Sequence, residues 1–117
     1  MEYYFAPMEG ITGYIHRNVH HSLFPGISKY FTAFIAPGQK GKFSAREKND
    51  ILPAHNQGIC TVPQLLTNNP RDFITTAAKL GELGYREINL NLGCPSRTVV
   101  TKYRGSGFLA KPRELDR

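Results

Sequence analysis

The sequence has little of several features that would each indicate a particular class of protein. It contains no tryptophan and only two cysteines, Cys60 and Cys94, which are too few for a disulfide framework and lack metal-ligand spacing. No apolar run approaches the roughly 18 residues that a membrane-spanning helix needs. The first residues lack a basic stretch followed by a long apolar one, so they predict no secretory signal. We therefore expect a soluble, cytoplasmic protein without membrane association.

Acidic residues are also scarce relative to basic ones. Fifteen Lys and Arg stand against nine Asp and Glu, which gives a net charge of +6 and a pI near 9.6. Clustered basic side chains bind nucleic acids because they release counterions from phosphates, although an ordinary basic surface has the same composition. With 40% hydrophobic residues among 117 and a mean hydropathy of -0.37, the chain is at most one globular domain.

Four short β-prone runs bounded by turn residues recur at similar intervals along the chain. They cover Tyr3 to Ala6, Tyr30 to Ile35, Thr61 to Leu66 and Glu87 to Leu92. The segments between them have helical character. Strands that alternate with helices at this interval form parallel sheets with right-handed crossovers, so the sequence predicts an α/β fold.

The helical segments carry recognisable start signals. Asn69 and Pro70 predict the beginning of a helix that runs to Leu83, and Ser44 is a predicted cap for a short helix at Ala45 to Ile51. A further helix is predicted from Thr12 to Leu23. Its apolar stripe, which we expect to face the core, consists of Ile15, Val19 and Leu23.

These units fill about half of a (β/α)8 barrel. A complete TIM barrel has about 250 residues, and Pro112 is predicted to open a fourth helix. We therefore interpret residues 1–117 as the N-terminal portion of such a barrel, with about four βα units. An open doubly wound sheet is the alternative, although no G-x-G-x-x-G motif follows the first strand.

Candidate chemical groups follow the predicted strands, at the edge where parallel sheets bind ligands. Gln64 and Asn91 are amides within apolar strands, so we expect each to have a designated hydrogen-bond partner. Cys94, between Gly93 and Pro95, is predicted to expose its thiol above the sheet as a nucleophile, metal ligand or proton donor. Cys60 enters a strand and fits a buried, inert thiol.

Other polar patterns are less specific. His16 and His20 have helical spacing but lack the glutamate of a zinc-protease motif, so we predict surface histidines and no metal site. The segment Gly105-Ser106-Gly107 resembles either a phosphate-binding loop or a flexible turn. The nearby Arg97, Lys102 and Arg104, together with Tyr103, form a basic and aromatic cluster that either holds nucleic-acid phosphates or is a solvated loop.

The order and spacing of the strand ends resemble the tRNA-dihydrouridine synthases. The matching elements are Ala6-Pro7-Met8-Glu9-Gly10-Ile11-Thr12, Val62-Pro63-Gln64-Leu65, Asn89-Leu90-Asn91-Leu92-Gly93-Cys94-Pro95 and the following Gly105-Ser106-Gly107. The Asn-x-Gly-Cys-Pro element is the most diagnostic of them. Arg17 also matches the usual arginine of the first helix, whereas Gly13 and Ala33 differ from common family residues.

The resemblance implies an FMN enzyme on a TIM barrel, followed in the full family by a helical tRNA-binding domain absent from residues 1–117. Such an enzyme reduces the C5–C6 bond of uridines in tRNA, with NADPH as the reductant of the flavin. By resemblance, Pro7, Met8, Glu9 and Gln64 contact the flavin, and Asn91 orients the uracil. Cys94 is the implied proton donor to C5.

A role for the basic residues follows from the need to hold RNA. Because the target base must leave its stack, we expect Arg97, Lys102 and Arg104 to bind the RNA backbone near the opening. The flavin phosphate has no obvious site in this sequence.

Two alternative functions remain open at this level. One is a different FMN barrel oxidoreductase, similar to dihydroorotate dehydrogenases, which acts on a small pyrimidine. The other is a half-barrel without catalysis that serves as a binding or assembly module. Since a half-barrel leaves two open sheet edges, we expect residues 1–117 alone to self-associate. Because half of the flavin site is missing from these residues, we also expect weak or no FMN binding and no enzyme activity.

Overall fold

The chain forms short parallel strands separated by helices. The structure is a computed structural model and describes residues 1–38 and 42–116. The strands within these residues are β1 (Tyr4–Phe5), β2 (Lys29–Phe31), β3 (Thr61–Val62), β4 (Gln64–Leu65) and β5 (Asn89–Leu90). Every pairing between them is parallel, which confirms the predicted α/β class.

The strands form two small sheets. One has the order β1-β2-β3 and the other pairs β4 with β5. The predicted strand from Thr61 to Leu66 is interrupted by Pro63, which has no N–H to donate to a ladder. A parallel bridge between Ile35 and Leu65 links the chain after β2 to β4. Residues 1–38 and 42–116 do not close a barrel, so the half-barrel with four βα units stays a prediction.

All of the strands are shorter than the predicted runs. At the end of β2, for example, the Gln64 N–H donates to the Thr32 side-chain Oγ1 at 3.1 Å rather than to a backbone carbonyl. A side chain that takes the place of a backbone partner ends the regular ladder. The strands therefore stop early, and the polar residues after them belong to loops.

The α-helices are α1 (Tyr14–Leu23), α2 (Ala45–Ile51), α3 (Pro70–Glu82), α4 (Arg97–Val100) and α5 (Pro112–Leu115). Three of these five, α2, α3 and α5, begin where the sequence predicts; α1 begins two residues later than predicted, and α4 was not predicted. Ser44 caps α2 in a reciprocal capping box with Glu47, and Asn69 Oδ1 accepts from the Arg71 N–H at 2.9 Å to cap α3. In the part of the chain that is described, no helix is both long and apolar enough to cross a membrane.

The core lies between the strands and helices α2 and α3. It consists of Ile35, Ile51, Leu65 and Leu80, each at most 2% exposed. Tyr85 packs against this cluster and donates its hydroxyl to the Ile51 carbonyl at 2.6 Å. Burial of the phenol raises the pKa of Tyr85 above its usual value of 10.0. Tyr85 thus adds both apolar contact and one part-buried hydrogen bond.

The orientation of α1 differs from the prediction. Arg17 is 0% exposed, whereas Ile15, Val19 and Leu23 are 65%, 53% and 66% exposed. The helix therefore turns its predicted core stripe away from the packed interior, and the prediction for these three residues was wrong. The reason is a polar network around the guanidinium, which no local periodicity reveals.

Arg17 is held by partners from two other segments. Its Nη1 donates to the Asp50 carboxylate at 3.1 and 3.2 Å and to the Thr12 carbonyl at 3.1 Å. Its Nη2 donates to the Asp50 carbonyl and to Asn56 Oδ1, both at 2.9 Å. Charge pairing and several hydrogen bonds together offset the cost of burying the guanidinium. The network fixes α1 against the end of α2.

Candidate active site

The ends of β1, β4 and β5 surround an open cavity of about 610 Å³. Its wall is formed by Ala6, Pro7, Met8, Glu9, Ala33, Phe34, Gln64, Asn89, Leu90, Asn91, Leu92, Gly93 and Cys94. Six of the predicted site residues are in this wall, namely Pro7, Met8, Glu9, Gln64, Asn91 and Cys94. Residues that are far apart in sequence are brought together because the parallel strands all end at this edge.

A chain of side-chain amides runs along the cavity wall. Gln64 Nε2 donates to Asn89 Oδ1 at 2.9 Å, and Asn91 Nδ2 donates to Gln64 Oε1 at 3.0 Å. The prediction that Gln64 and Asn91 have designated partners is therefore confirmed. Asn89 was missed as a site residue, although its alternation with Asn91 places both on one face of the strand.

The amide chain ends at the backbone of Cys94. Asn91 Oδ1 accepts from the Gly93 N–H at 3.1 Å and from the Cys94 N–H at 3.0 Å. These two bonds turn the chain sharply after β5 and bring the half-buried Cys94 to the cavity wall. The three amides and the thiol-bearing residue form one connected arrangement, which we call the amide chain (Gln64, Asn89, Asn91 and Cys94).

The loop after β1 forms the opposite part of the wall. The Met8 carbonyl accepts from the Ile11 and Thr12 N–H groups at 3.1 and 3.0 Å, and the Met8 N–H donates to Thr12 Oγ1 at 2.8 Å. Thr12 is buried, so these bonds hold the loop in place. Glu9 is exposed and pairs with Arg46 at 3.3 Å. A fixed loop with Pro7 and Met8 offers an apolar surface to a ligand.

The segment 105–107 differs from both predictions made for it. Gly105 and Gly107 are buried in a 3₁₀ helix (Gly105–Ala110), and the Ser106 and Gly107 N–H groups donate to the carbonyls of Cys94 and Arg104. A phosphate loop needs free N–H groups, and a flexible turn has no such packing. The segment instead supports the loop after β5 that carries Cys94, which we call the Cys94 loop.

The three predicted basic residues lie outside the cavity wall. Arg97 begins α4 and is exposed, as is Lys102. Arg104 is half-buried, and its Nε has no hydrogen-bond partner among the described residues. The Tyr103 ring is covered on one face by Lys111, whose Nζ lies 4.5 Å from the ring centroid. The basic residues thus lie in and directly after α4, outside the residues that line the cavity.

The remaining cysteine and histidines have no part in this cavity. Cys60 is exposed, so the prediction that it is a buried thiol was wrong: the residue precedes β3, outside the core. His16 is exposed, and His20 Nδ1 lies 2.8 Å from the Tyr30 hydroxyl. Across residues 1–38 and 42–116, no group of three His, Cys, Asp or Glu residues could hold a metal ion.

The donor set of the cavity fits the ring of a flavin better than its phosphate. Apolar side chains such as Pro7 and Met8 suit the face of a flat aromatic ring, and the amides of Gln64 and Asn91 each have a second N–H for its polar edge. Among the described residues, the wall contains one charged side chain, Glu9, and no Lys or Arg. Those residues therefore offer a phosphate no cationic partner.

The fold and the cavity define an α/β protein with parallel strands and a ligand site at their carboxyl ends. The family model described as dihydrouridine synthase (Dus) matches residues 4–117. The chain therefore belongs to the dihydrouridine synthase family. This assignment confirms the resemblance that the strand-end motifs predicted.

Curated relatives are similar to the chain over part of their length. A probable tRNA-dihydrouridine synthase of Staphylococcus aureus is 28% identical over 118 residues, covering 92% of this chain and 33% of the relative. A tRNA-dihydrouridine(16) synthase of Pseudomonas putida is 37% identical, covering 98% and 36%. A tRNA-dihydrouridine(20/20a) synthase of Vibrio vulnificus is 38% identical, covering 56% and 20%. The chain spans about a third of the first two relatives.

Proposed function

We propose that residues 1–117 are the N-terminal half of the catalytic barrel of a cytoplasmic tRNA-dihydrouridine synthase. Further chain supplies the rest of the barrel and a helical tRNA-binding domain, and residues 1–117 alone are inactive. The observation that carries the proposal is the cavity at the strand ends, where Cys94 stands beside the amides of Gln64 and Asn91. The family match over residues 4–117 supports it.

The proposed reaction reduces the C5–C6 bond of uridine in tRNA. When bound, with its ring held by Pro7, Met8, Glu9 and Gln64, FMN kept reduced by NADPH would supply the hydride for C6. Cys94 donates its thiol proton to C5, because hydride addition leaves negative charge on the uracil that must be neutralised. A thiol suits this task because it holds one transferable proton and stands on a loop that borders the cavity.

The remaining wall residues bind and orient. Pro7, Met8 and Glu9 line the place of the flavin ring, and the second N–H of Gln64 Nε2 is available to a ring oxygen or nitrogen. Asn91 Nδ2 has one N–H left after its bond to Gln64. This N–H donates to the uracil and so orients the base toward Cys94. A site with several fixed donors holds the reacting atoms in place without reorganisation.

We also propose that Arg97 and Lys102 bind the tRNA backbone. Both are exposed and follow the Cys94 loop within ten residues of sequence, and the chain carries a net charge of +6. Half-buried Arg104 contributes mainly through its outward guanidinium nitrogens, since its Nε is buried. Exposed basic side chains of this kind hold phosphates without reading the base.

A second proposal concerns residues 1–117 on their own, which we expect to self-associate. The exposed side of α1 presents Ile15, Val19 and Leu23, and Phe24 follows at 61% exposure. Contiguous apolar surface of this kind favours contact with another protein surface. Static light scattering of the 117-residue chain should give a mass of at least twice 13.1 kDa. A stable monomer would contradict this proposal and leave the enzyme proposal untouched.

The proposed function is tested in the native gene product, expressed from its gene in cells that lack other dihydrouridine synthases. Cys94→Ala should abolish dihydrouridine in tRNA, measured by mass spectrometry of nucleosides, because no proton reaches C5. Cys60→Ala is the matched control and should leave the modification unchanged, since Cys60 lies outside the cavity wall. Unchanged dihydrouridine in Cys94→Ala would overturn the role of Cys94. An unmodified tRNA with both wild type and variants would overturn the enzyme proposal.

A further inference from the structure

The segment that follows α4 folds back onto the backbone of Cys94. The Ser106 N–H donates to the Cys94 carbonyl at 3.1 Å, and the Ser106 hydroxyl donates to the same oxygen at 3.0 Å. Both donors of Ser106 therefore converge on one acceptor 12 residues earlier in the chain. Since a carbonyl oxygen has two lone pairs, Ser106 can satisfy it completely.

Two glycines allow this close approach. A Cβ atom on Gly105, which has a φ of +54°, would stand 2.7 Å from the Cys94 carbonyl oxygen and 3.0 Å from Cys94 Cβ. A Cβ on Gly107 would stand 2.8 Å from the Val100 carbonyl oxygen. Any side chain at either position would push the segment away from its partners. The Gly-Ser-Gly sequence thus has a steric purpose in addition to the serine bonds.

Cys94 is consequently held on both sides of its side chain. Its N–H donates to Asn91 Oδ1 at 3.0 Å, and its carbonyl accepts both bonds from Ser106. The direction of the Cα–Cβ bond follows from the positions of these two backbone groups. With both groups fixed, the thiol is restricted to rotation about a single bond.

We propose that Ser106 is a positioning residue for the Cys94 thiol, and that Gly105 provides the space for it. This inference rests on the proposed function, in which Cys94 is the proton donor. Proton transfer requires the donor to be held within hydrogen-bond reach of the accepting carbon, and small displacements of a reacting group lower the rate. Ser106 keeps the loop from moving the thiol out of that range.

The test uses the two cysteines of the chain as reporter and reference. The alkylation rates of Cys94 and Cys60 by iodoacetamide are measured in the same molecule by peptide mass spectrometry. Ser106→Ala removes the hydroxyl bond, so the Cys94 loop opens more often and its alkylation rate should rise about three- to tenfold relative to Cys60. Cys60 is already exposed, so its rate corrects for reagent reactivity, and urea denaturation of the same variant shows whether an increase at Cys94 reflects general destabilisation.

Two further variants complete the design. Ser22→Ala is the matched control, because the Ser22 hydroxyl also donates to a backbone carbonyl, that of Val19 at 2.8 Å, far from Cys94. It should leave the Cys94 to Cys60 ratio unchanged. Ser106→Thr keeps the hydroxyl and should restore the wild-type ratio. An unchanged ratio in Ser106→Ala, or the same increase in Ser22→Ala, would overturn the positioning role.

The same variants separate the inference from the proposed function. In the native gene product, Ser106→Ala should lower kcat for tRNA reduction about tenfold with little change in KM, since a positioning loss affects the reacting geometry more than tRNA binding. If Cys94→Ala keeps full activity, the proposed function fails whatever Ser106 does. If Cys94→Ala is inactive and Ser106→Ala retains the wild-type kcat and alkylation ratio, the positioning inference alone fails.

Discussion

Two polar networks in this molecule differ in what they leave available to a ligand. Around Arg17, a 0%-exposed guanidinium is surrounded by the Thr12 carbonyl, both the carboxylate and the carbonyl of Asp50, and Asn56. The amide chain, by contrast, is half-buried and borders an open cavity. The first network is closed in that its guanidinium is inaccessible to a ligand, although Arg17 Nε is buried without a hydrogen-bond partner among the described residues. The second keeps unused N–H groups and a thiol toward the cavity.

The difference separates structural from chemical use of polar residues. A closed network contributes to stability chiefly because removal of one member leaves a buried charge or dipole without a partner. In a network that borders an open cavity, water can replace a side chain that is removed, so the mutation costs little stability. Mutations in the closed network should therefore lower stability most, whereas mutations in the amide chain should lower activity with little loss of stability.

The largest expected effect on stability is in the closed network. Arg17→Ala leaves the Asp50 carboxylate without its cation and should lower the free energy of unfolding by about 3–5 kcal/mol. Arg46→Ala, which removes the exposed pair with Glu9, should cost less than about 1 kcal/mol. Urea denaturation of both variants measures the contrast. Equal losses would show that the buried Arg17 network stabilises the fold no more than the exposed pair of Arg46 and Glu9.

A smaller effect is expected at Tyr85, which borders the closed network. Tyr85→Phe removes the hydroxyl bond to the Ile51 carbonyl and should cost about 1 kcal/mol. Burial raises the pKa of Tyr85, so the folded protein keeps the phenol proton at pH values where the unfolded chain loses it. This stabilisation is complete below about pH 10 and is lost as the pH rises through the folded-state pKa.

The pH dependence gives the Tyr85 prediction a second measurement. Urea denaturation between about pH 8 and about pH 11 should show a weaker alkaline loss of stability in Tyr85→Phe than in the wild type. Tyr3→Phe, at an exposed residue near the N-terminus, is the matched control and should retain the wild-type profile. Parallel profiles for all three proteins would contradict a buried phenol at Tyr85.

The smallest effect on stability is expected in the amide chain. Gln64→Leu removes the bonds to Asn89 and Asn91, but water in the cavity can replace them, so the cost should be about 1 kcal/mol or less. Dihydrouridine formation by the native gene product should nevertheless fall at least about tenfold, because Asn91 loses its partner. Gln57→Leu, at an exposed residue, serves as control for both measurements. A large loss of stability with unchanged activity would remove the distinction between the networks.

Local signals in the sequence were sufficient for the starts of α2, α3 and α5. Ser44, Asn69 and Pro112 act on neighbouring backbone groups, so their effect can be predicted without knowledge of the rest of the fold. That the residues at the strand ends meet around one cavity was also predictable, because parallel strands place their carboxyl ends together. Local patterns could not predict which residues from distant segments of the chain form hydrogen bonds with each other.

The errors have a common physical origin in contacts that join distant segments. The stripe of Ile15 and Val19 predicted one face of α1 as buried, but Asp50 binds Arg17 from 33 residues away and turns the opposite face inward. Likewise, the local sequence around Ser106 resembles a phosphate loop, but Ser106 bonds to the Cys94 carbonyl 12 residues earlier in the chain. In both cases a hydrogen bond across the chain outweighs the local pattern.

The strand segment 61–66 pairs with β2 on one side and β5 on the other, so each strand adds to one that precedes it in the chain. During synthesis on the ribosome, β1, β2 and β3 can therefore pair in the order in which they emerge. Cys94 is different, because its carbonyl receives its two bonds only after residue 106 has left the exit tunnel. A newly made chain thus carries Cys94 without its Ser106 bonds until 12 further residues have emerged, and in this interval the thiol is held by the earlier Asn91 bond alone.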